Sequence, residues 1–290
     1  MILTLLWLTG RTAGSVGASV LQKRLLEAGV GAGRLWWITY GLLVPAGLAL
    51  LAVSAVPENP AFWKLAIAAA VLDVAGNLAM AMALRDTDLS VFGPLNAFRP
   101  AIAGLAGWWL LDERPSAMGG IGLAIVIGGA VLLLAPGPRA PVSGGTRNPA
   151  GVLWRFLGLA LSTLGASFLK RSMETGPAVW TLSVWILGGA ALLSLLWLHS
   201  LRHPNALWSH APAGQRSRLL LHAAIFLGMQ WATLEIFQRT LLAYSFAFFQ
   251  LGMVAQVLVG GWLFGERQIR RRLLACGVMS VGALVLLIAG

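Results

Sequence analysis

The sequence predicts an all-α, polytopic membrane protein with ten transmembrane helices arranged as a 5+5 inverted repeat. Three observations lead to this fold class. The chain of 290 residues is 58% hydrophobic and only 11% charged, with a mean hydropathy of +0.80, outside the usual range of soluble domains. It divides into ten apolar segments, each of about the 20 residues that a helix needs to cross a bilayer. Its two halves also resemble each other in sequence, which is a signal of repeated architecture.

The first five predicted spans occupy the first half of the chain. The first holds Arg11 within its apolar run and has no cationic segment before it, so we interpret it as a permanent helix and not as a signal peptide. The second is free of charge and the third contains Asp73. The fourth contains Arg99 between Pro94 and Pro100, and the prolines predict a kinked or bent helix there. The predicted boundaries are 1–22, 35–55, 62–84, 89–111 and 115–135.

The last five predicted spans carry amides in place of charges near their centres. The eighth holds Gln230 near its middle, and the ninth holds Gln250 and Gln256 on either side of its centre. The tenth contains Cys276, whose lone occurrence excludes a disulfide framework. The predicted boundaries are 151–169, 178–198, 219–241, 243–264 and 270–289.

An internal repeat divides the chain into two units. Residues 107–137 can be laid over residues 260–290, so that Trp109 falls on Trp262, Glu113 on Glu266 and Arg114 on Arg267. We therefore predict a first five-helix repeat, a linker rich in Pro, Gly and Ser, and a second five-helix repeat. Five is an odd number, so the second unit would enter the membrane in the opposite sense, as in many secondary transporters. The predicted units are 1–135, 136–150 and 151–290.

The ends of the two repeats resemble a known family. Residues 88–134 carry a proline, then the corner "DER", then a glycine-rich helix, and residues 244–290 carry the corner "GER" in the same place. This pattern is similar to the EamA repeat of the drug/metabolite transporter superfamily. The resemblance implies a ten-helix transporter without ATP hydrolysis, but it does not specify a substrate. The usual pattern has a small or apolar residue where this chain has Arg99.

Three ionisable residues near the span centres, Arg11, Asp73 and Arg99, are the main site candidates. A charge at the centre of a bilayer costs roughly 2.5–3.5 kcal/mol on insertion scales and usually marks a path for a substrate or an ion. Two arginines against one aspartate favour an anionic or zwitterionic cargo, because guanidinium groups bind carboxylate or phosphate in pairs of hydrogen bonds. The further candidate residues for substrate binding are Trp7, Asn77, Asn96, Gln230, Trp231, Gln250 and Gln256.

Each of these candidates also has a purely structural interpretation. Asp73 is either the plain neutraliser of an arginine, a counter-ion that an arriving anion displaces, or a proton carrier for coupled transport. The amides either line a cavity or join helices to one another. The tryptophans either stack on cargo or face lipid.

Charged corners at matching places in the two repeats are candidates for gates. Glu113 and Arg114 in the first repeat correspond to Glu266 and Arg267 in the second. We expect local ion pairs or caps of helix starts there, or latches that hold a gate closed. Glu235 is expected to pair with Arg239 four residues later.

Other function classes are disfavoured. The net charge of +11 and the pI near 11.5 come from short basic loops beside the helices, so we expect no nucleic-acid partner. Four histidines cluster around the seventh loop without carboxylates nearby, so we expect no metal, no cofactor and no enzyme activity. No GxxxxGK loop is present for ATP. A flippase for a lipid-linked or phosphate-bearing lipid, and a non-transporting scaffold or sensor, remain open.

The distribution of basic residues tests the orientation. Loops after the odd-numbered spans hold fourteen Lys and Arg residues and the opposite side holds five, which places both termini outside the cytoplasm. Members of the resembled family generally have both termini inside, so two orientations stay open. We expect an integral protein of a bacterial cytoplasmic membrane, monomeric or homodimeric, whose partners are lipids and a small-molecule substrate.

Overall fold

Ten helical segments make up the described part of the chain. The computed structural model describes residues 2–86, 99–134, 149–202, 208–209, 214–250, 252 and 269–289. In chain order the helices are α1 (Ile2–Glu27), α2 (Ala32–Leu51), α3 (Pro60–Asp86), α4 (Arg99–Leu111), α5 (Ala117–Leu134), α6 (Pro149–Thr175), α7 (Ala178–Arg202), α8 (Arg216–Phe237), α9 (242–250) and α10 (Ile269–Ala289).

Each of these helices overlaps one predicted span, with ends that differ by a few residues. The eighth span was predicted to run to residue 241, but α8 ends at Phe237 because a short turn at 238–240 separates it from α9. The first half of the fourth span and the second half of the ninth fall outside the described residues. Asn96, Gln256, Glu266 and Arg267 are therefore not placed by the structure.

Four of the described helices are long and apolar enough to cross a membrane by themselves. They are α2, the part of α3 from Pro60 to Met80, α7 and α8. Shorter apolar stretches lie at Ala117–Leu132 in α5 and Gly277–Leu286 in α10. Ten spans were predicted, and the difference has a physical reason in α1 and α6. These helices carry charged and hydroxyl side chains within their length, which lowers the mean hydropathy of the helix as a whole.

The helices pack in pairs, each of which joins a helix of the first half of the chain to a helix of the second half. α3 lies against α6, α1 against α8, α2 against α7 and α5 against α10. Small residues permit the closest of these approaches: a Cβ added at Gly76 of α3 would lie 2.9 Å from the backbone nitrogen of Ser162 in α6. A Cβ added at Gly282 of α10 would likewise lie 2.8 Å from the backbone nitrogen of Val126 in α5. Such contacts let membrane helices gain van der Waals energy where no hydrophobic effect drives their association.

The outer surface of the bundle is apolar. Trp109 is 81% exposed and Ile288 is 76% exposed, and long aliphatic side chains lie exposed along α1, α5, α7 and α10. An aromatic cluster that includes Tyr40, Trp185 and Phe226 is buried between α2, α7 and α8. An apolar exterior of this extent suits a lipid environment.

Candidate functional site

Arg11 projects from α1 towards α8 and α9. Its Nε donates to Thr233 Oγ1 on α8 over 3.4 Å, and its guanidinium carbon lies 3.4 Å from the ring centroid of Phe249 on α9. The α1–α8 contact positions the arginine, because Gly14 one turn later packs against Met229. Within the described residues, the terminal nitrogens of Arg11 have no hydrogen-bond acceptor.

Arg99 opens the described part of α4 and contacts α6 and α9. Its Nη2 donates to Ser162 Oγ over 3.0 Å, and its guanidinium carbon lies 4.6 Å from the ring centroid of Phe246. Its Nε is buried and has no hydrogen-bond partner among the described residues. A buried donor without an acceptor costs about 1–3 kcal/mol, and more when it is charged, so this atom is in the correct state to receive a ligand oxygen.

One helix supplies the aromatic faces for both arginines. Phe246 and Phe249 are three residues apart on α9, and their rings meet edge to face with centroids 5.6 Å apart. A guanidinium group over such a face gains roughly 0.5–2 kcal/mol without losing its charge. All the residues of 242–250 are buried, so the helix that carries the two phenylalanine rings is surrounded by protein. Arg11 and Arg99 also lie close enough to interact electrostatically with each other.

Asp73 accepts hydrogen bonds from neutral donors. Its Oδ2 receives the hydroxyl of Tyr40 and the amide Nδ2 of Asn77, each over 3.0 Å. Among the described residues, no arginine nitrogen lies within the 4.0 Å of an ion pair with this carboxylate. In this conformation Asp73 therefore forms no ion pair with a described arginine, although Arg99 and Asp73 interact electrostatically over a longer distance.

The remaining predicted binding residues surround this cluster at varying depth. Gln250 follows Phe249 on α9 and is buried, whereas Gln230 and Trp231 on α8 are half-buried. Trp7 lies one turn before Arg11 on α1, and its buried indole nitrogen has no partner in the part of the chain that the structure describes. Asn96 and Gln256 lie outside the described residues.

Two buried ionisable residues were counted with the loops in the sequence analysis, although the predicted spans 151–169 and 219–241 contain them. Arg155 was counted in the loop after the fifth span, but it lies in α6 and is 7% exposed, with Nη1 2.6 Å from Met80 Sδ of α3. His222 was grouped with the seventh loop, yet it lies inside α8, is 1% exposed and bonds Thr39 of α2. The span boundaries were therefore right for both residues, and the assignment of both to loops was wrong.

The corner after α4 joins the two halves of the chain. Glu113 pairs with Lys170 of α6, and its Oε2 also accepts the backbone N–H of Leu242 at the start of α9 over 2.6 Å. Lys170 in turn donates to the carbonyl of Thr240 over 2.5 Å. We call this group, Glu113 with Lys170 and the backbone of 240–242, the corner latch. The expected pair of Glu235 with Arg239 is confirmed, with 2.5 Å between the charged atoms.

The apolar helices of the described residues and their apolar outer surface indicate an integral membrane protein. Residues 3–135 match the model of the EamA-like transporter family, which is part of the drug/metabolite transporter superfamily. The resemblance seen in the sequence is thereby confirmed. A solved crystal structure of a protein is similar over 97% of this chain and 98% of its own, with a TM-score of 0.71 and 18% sequence identity, which shows a shared fold. No curated protein matches the sequence.

Proposed function

We propose that the chain is a secondary transporter that moves a small anionic or zwitterionic metabolite by alternating access. The observation that carries this proposal is the pair of half-buried guanidinium groups, Arg11 and Arg99, which keep N–H groups without acceptors in the described part of the protein. Aromatic faces support both of them, and no carboxylate of the described residues forms an ion pair with either. A cation in that state within a membrane protein is poised to bind an anion.

We propose further that the two halves form an inverted repeat around this site. Under exchange of the halves, α1 takes the place of α6 and α3 that of α8, so the α3–α6 contact becomes the α8–α1 contact. Both contacts are present, and α2–α7 and α5–α10 each map onto themselves. The pairing supports a two-fold relation between the halves. A symmetric bundle of this kind can expose a central site to each side in turn.

The corner latch suits a gate on one side of this site. It is built from the α4–α5 corner of the first half and from α6 and the start of α9 in the second half. A gate must join parts that separate when the site opens, and the latch joins the two halves through one charge pair and one bond from the Leu242 N–H to Glu113. The bond from Lys170 to the Thr240 carbonyl lies within the second half. On this proposal, the contact is made in one conformation and broken in the other.

Asp73 is the candidate for coupling. Its carboxylate lies between Tyr40 and Asn77 and within electrostatic range of Arg99. A proton taken up by Asp73 or an anion bound at Arg99 would each change the charge balance of the same region. Proton coupling and anion exchange are therefore both open to this arrangement, and they differ in whether Asp73 is required.

Reconstituted uptake tests the proposal. The full chain in proteoliposomes is supplied with labelled anionic, zwitterionic and cationic metabolites, and with fluorescent phospholipid for the lipid alternative. We expect uptake of an anion or a zwitterion, and we expect its loss in Arg99→Gln. Preference for cations would overturn the proposal, and movement of lipid alone would favour a flippase.

A further inference from the structure

Arg11 and Arg99 provide two separate guanidinium groups, unlike a site in which the donors converge on a single anion. Arg11 enters from α1 and Arg99 from α4, and each lies over its own phenylalanine on α9. The two rings touch edge to face, so the guanidinium groups are close but are not fused into one fork. Two like charges brought together in a buried region repel each other, and this cost remains until an anion compensates it.

No carboxylate of the described residues forms a direct ion pair with either arginine. The acid nearest to Arg99 by electrostatic interaction is Asp73, and its Oδ2 already accepts two hydrogen bonds, from Tyr40 and from Asn77. The other oxygen, Oδ1, accepts neither of these bonds, so the inference rests on the two arginines and not on Asp73. A cargo carboxylate meets unused donors on Arg11 and the orphaned Nε of Arg99.

From this we infer that the cargo carries two acidic groups, one for Arg11 and one for Arg99, and is a dicarboxylate or a similarly doubly charged small anion. This inference rests on the proposed transport function and narrows it, because it excludes amino-acid zwitterions and simple monocarboxylates as preferred cargo. Phe246 and Phe249 act as positioning residues, since their rings fix the separation of the two guanidinium groups.

A matched ligand series separates the three cargo classes. Thermal unfolding of the detergent-solubilised full chain is followed with succinate, 4-aminobutyrate and butyrate, and again with glutarate, 5-aminovalerate and valerate, at constant pH and ionic strength. The members of each set share a carbon skeleton and differ only in the second group. We expect the dicarboxylate to bind more tightly than its partners by roughly ten- to hundredfold, the value of one additional charged hydrogen-bonded contact.

Variants of the arginines connect this preference to the site. Arg11→Gln and Arg99→Gln should each reduce dicarboxylate affinity to the level of the monocarboxylate. Lys64→Gln, which removes an exposed positive charge on α3, should leave it unchanged. Arg11→Lys and Arg99→Lys keep the charge and guard against loss of folding, and they should retain part of the preference because only the fork geometry is lost.

The outcomes distinguish this inference from the broader proposal. Equal affinity for the dicarboxylate and the monocarboxylate would overturn the inference and leave an anion carrier in place. Tightest binding of the amino acids, lost in Asp73→Asn, would overturn it in favour of a zwitterion site. Binding of neither anions nor zwitterions in any series would overturn the inference together with the proposed function.

Discussion

The corner latch predicts that Glu113→Gln opens one side of the protein. The side chains of Glu113 and Lys170 are only 10% and 12% exposed, so the ion pair is shielded from water. Removing one partner of a buried pair costs about 3–5 kcal/mol. Glutamine keeps an acceptor for the Leu242 N–H, and Lys170 keeps the Thr240 carbonyl, so we take about 2–4 kcal/mol for this site.

That energy acts on the balance between conformations, because the latch is made in only one of them. Each 1.4 kcal/mol changes a two-state ratio by about tenfold, so a shift of roughly 30- to 1,000-fold in favour of the open state is expected. A cysteine placed at Ala243, which is buried next to the latch, reports opening by its rate of reaction with a maleimide. The native Cys276 is replaced by alanine in all variants, so that only the reporter reacts.

A matched control lies on the same helix as Lys170. The pair Arg171–Glu174 has both side chains 45% exposed, and exposed pairs contribute at most about 1 kcal/mol. Glu174→Gln should therefore leave the labelling rate of the reporter unchanged. Lys170→Met should accelerate labelling as Glu113→Gln does, and the double variant should add little to either. Equal labelling rates in Glu113→Gln and Glu174→Gln would refute the latch.

Three further predictions concern the bundle and the aspartate. Gly76→Ala should lower the free energy of unfolding by about 1–3 kcal/mol, because its new Cβ meets the backbone of α6. Gly128→Ala, with open space around it, should leave stability unchanged. Equal melting temperatures of the two variants would contradict the packing described. Tyr40→Phe removes one donor to Asp73 and should cost about 1–2 kcal/mol in unfolding free energy, which urea or thermal unfolding would detect, and an unchanged stability would show that this bond is not maintained. If Asp73 carries the coupling proton, Asp73→Asn should abolish the response of uptake to a pH gradient while exchange continues; a full pH response in this variant would exclude that role.

The helices of this protein are predictable from hydropathy, whereas the contacts between the helices are harder to predict. Long apolar runs such as that of α7 define a helix whatever its neighbours are. Arg155 shows the limit, because its burial depends on the approach of α3, which brings Met80 to it, and no local pattern encodes that approach. The burial of His222 was hidden for the same reason, since its partner Thr39 is 183 residues away in sequence.

The ionisable residues of the candidate site were predictable from the sequence, but the groups that contact them were not. Charged residues in apolar runs identified Arg11, Asp73 and Arg99 directly, and the spacing of four placed Asn77 beside Asp73. The sequence left open whether Asp73 neutralises an arginine, and it did not predict the phenylalanine faces on α9 that both arginines contact. Eight of the ten predicted spans contain aromatic residues, so nothing local distinguishes Phe246 and Phe249 from packing residues. The partner of Glu113 was likewise hidden, because Lys170 belongs to the other half of the chain.

Counterflow in proteoliposomes tests the central claim most directly, namely that Arg99 binds the transported anion. Vesicles loaded with an unlabelled anion that stabilises the protein are diluted into trace labelled anion, and the initial rate is compared for the unmodified chain, Arg99→Gln and Lys64→Gln. The account predicts counterflow in the unmodified chain and in Lys64→Gln, and a loss of at least about tenfold in Arg99→Gln, since a charged hydrogen bond contributes about 1.5–3 kcal/mol. Counterflow at the full rate in a correctly folded Arg99→Gln protein would contradict it.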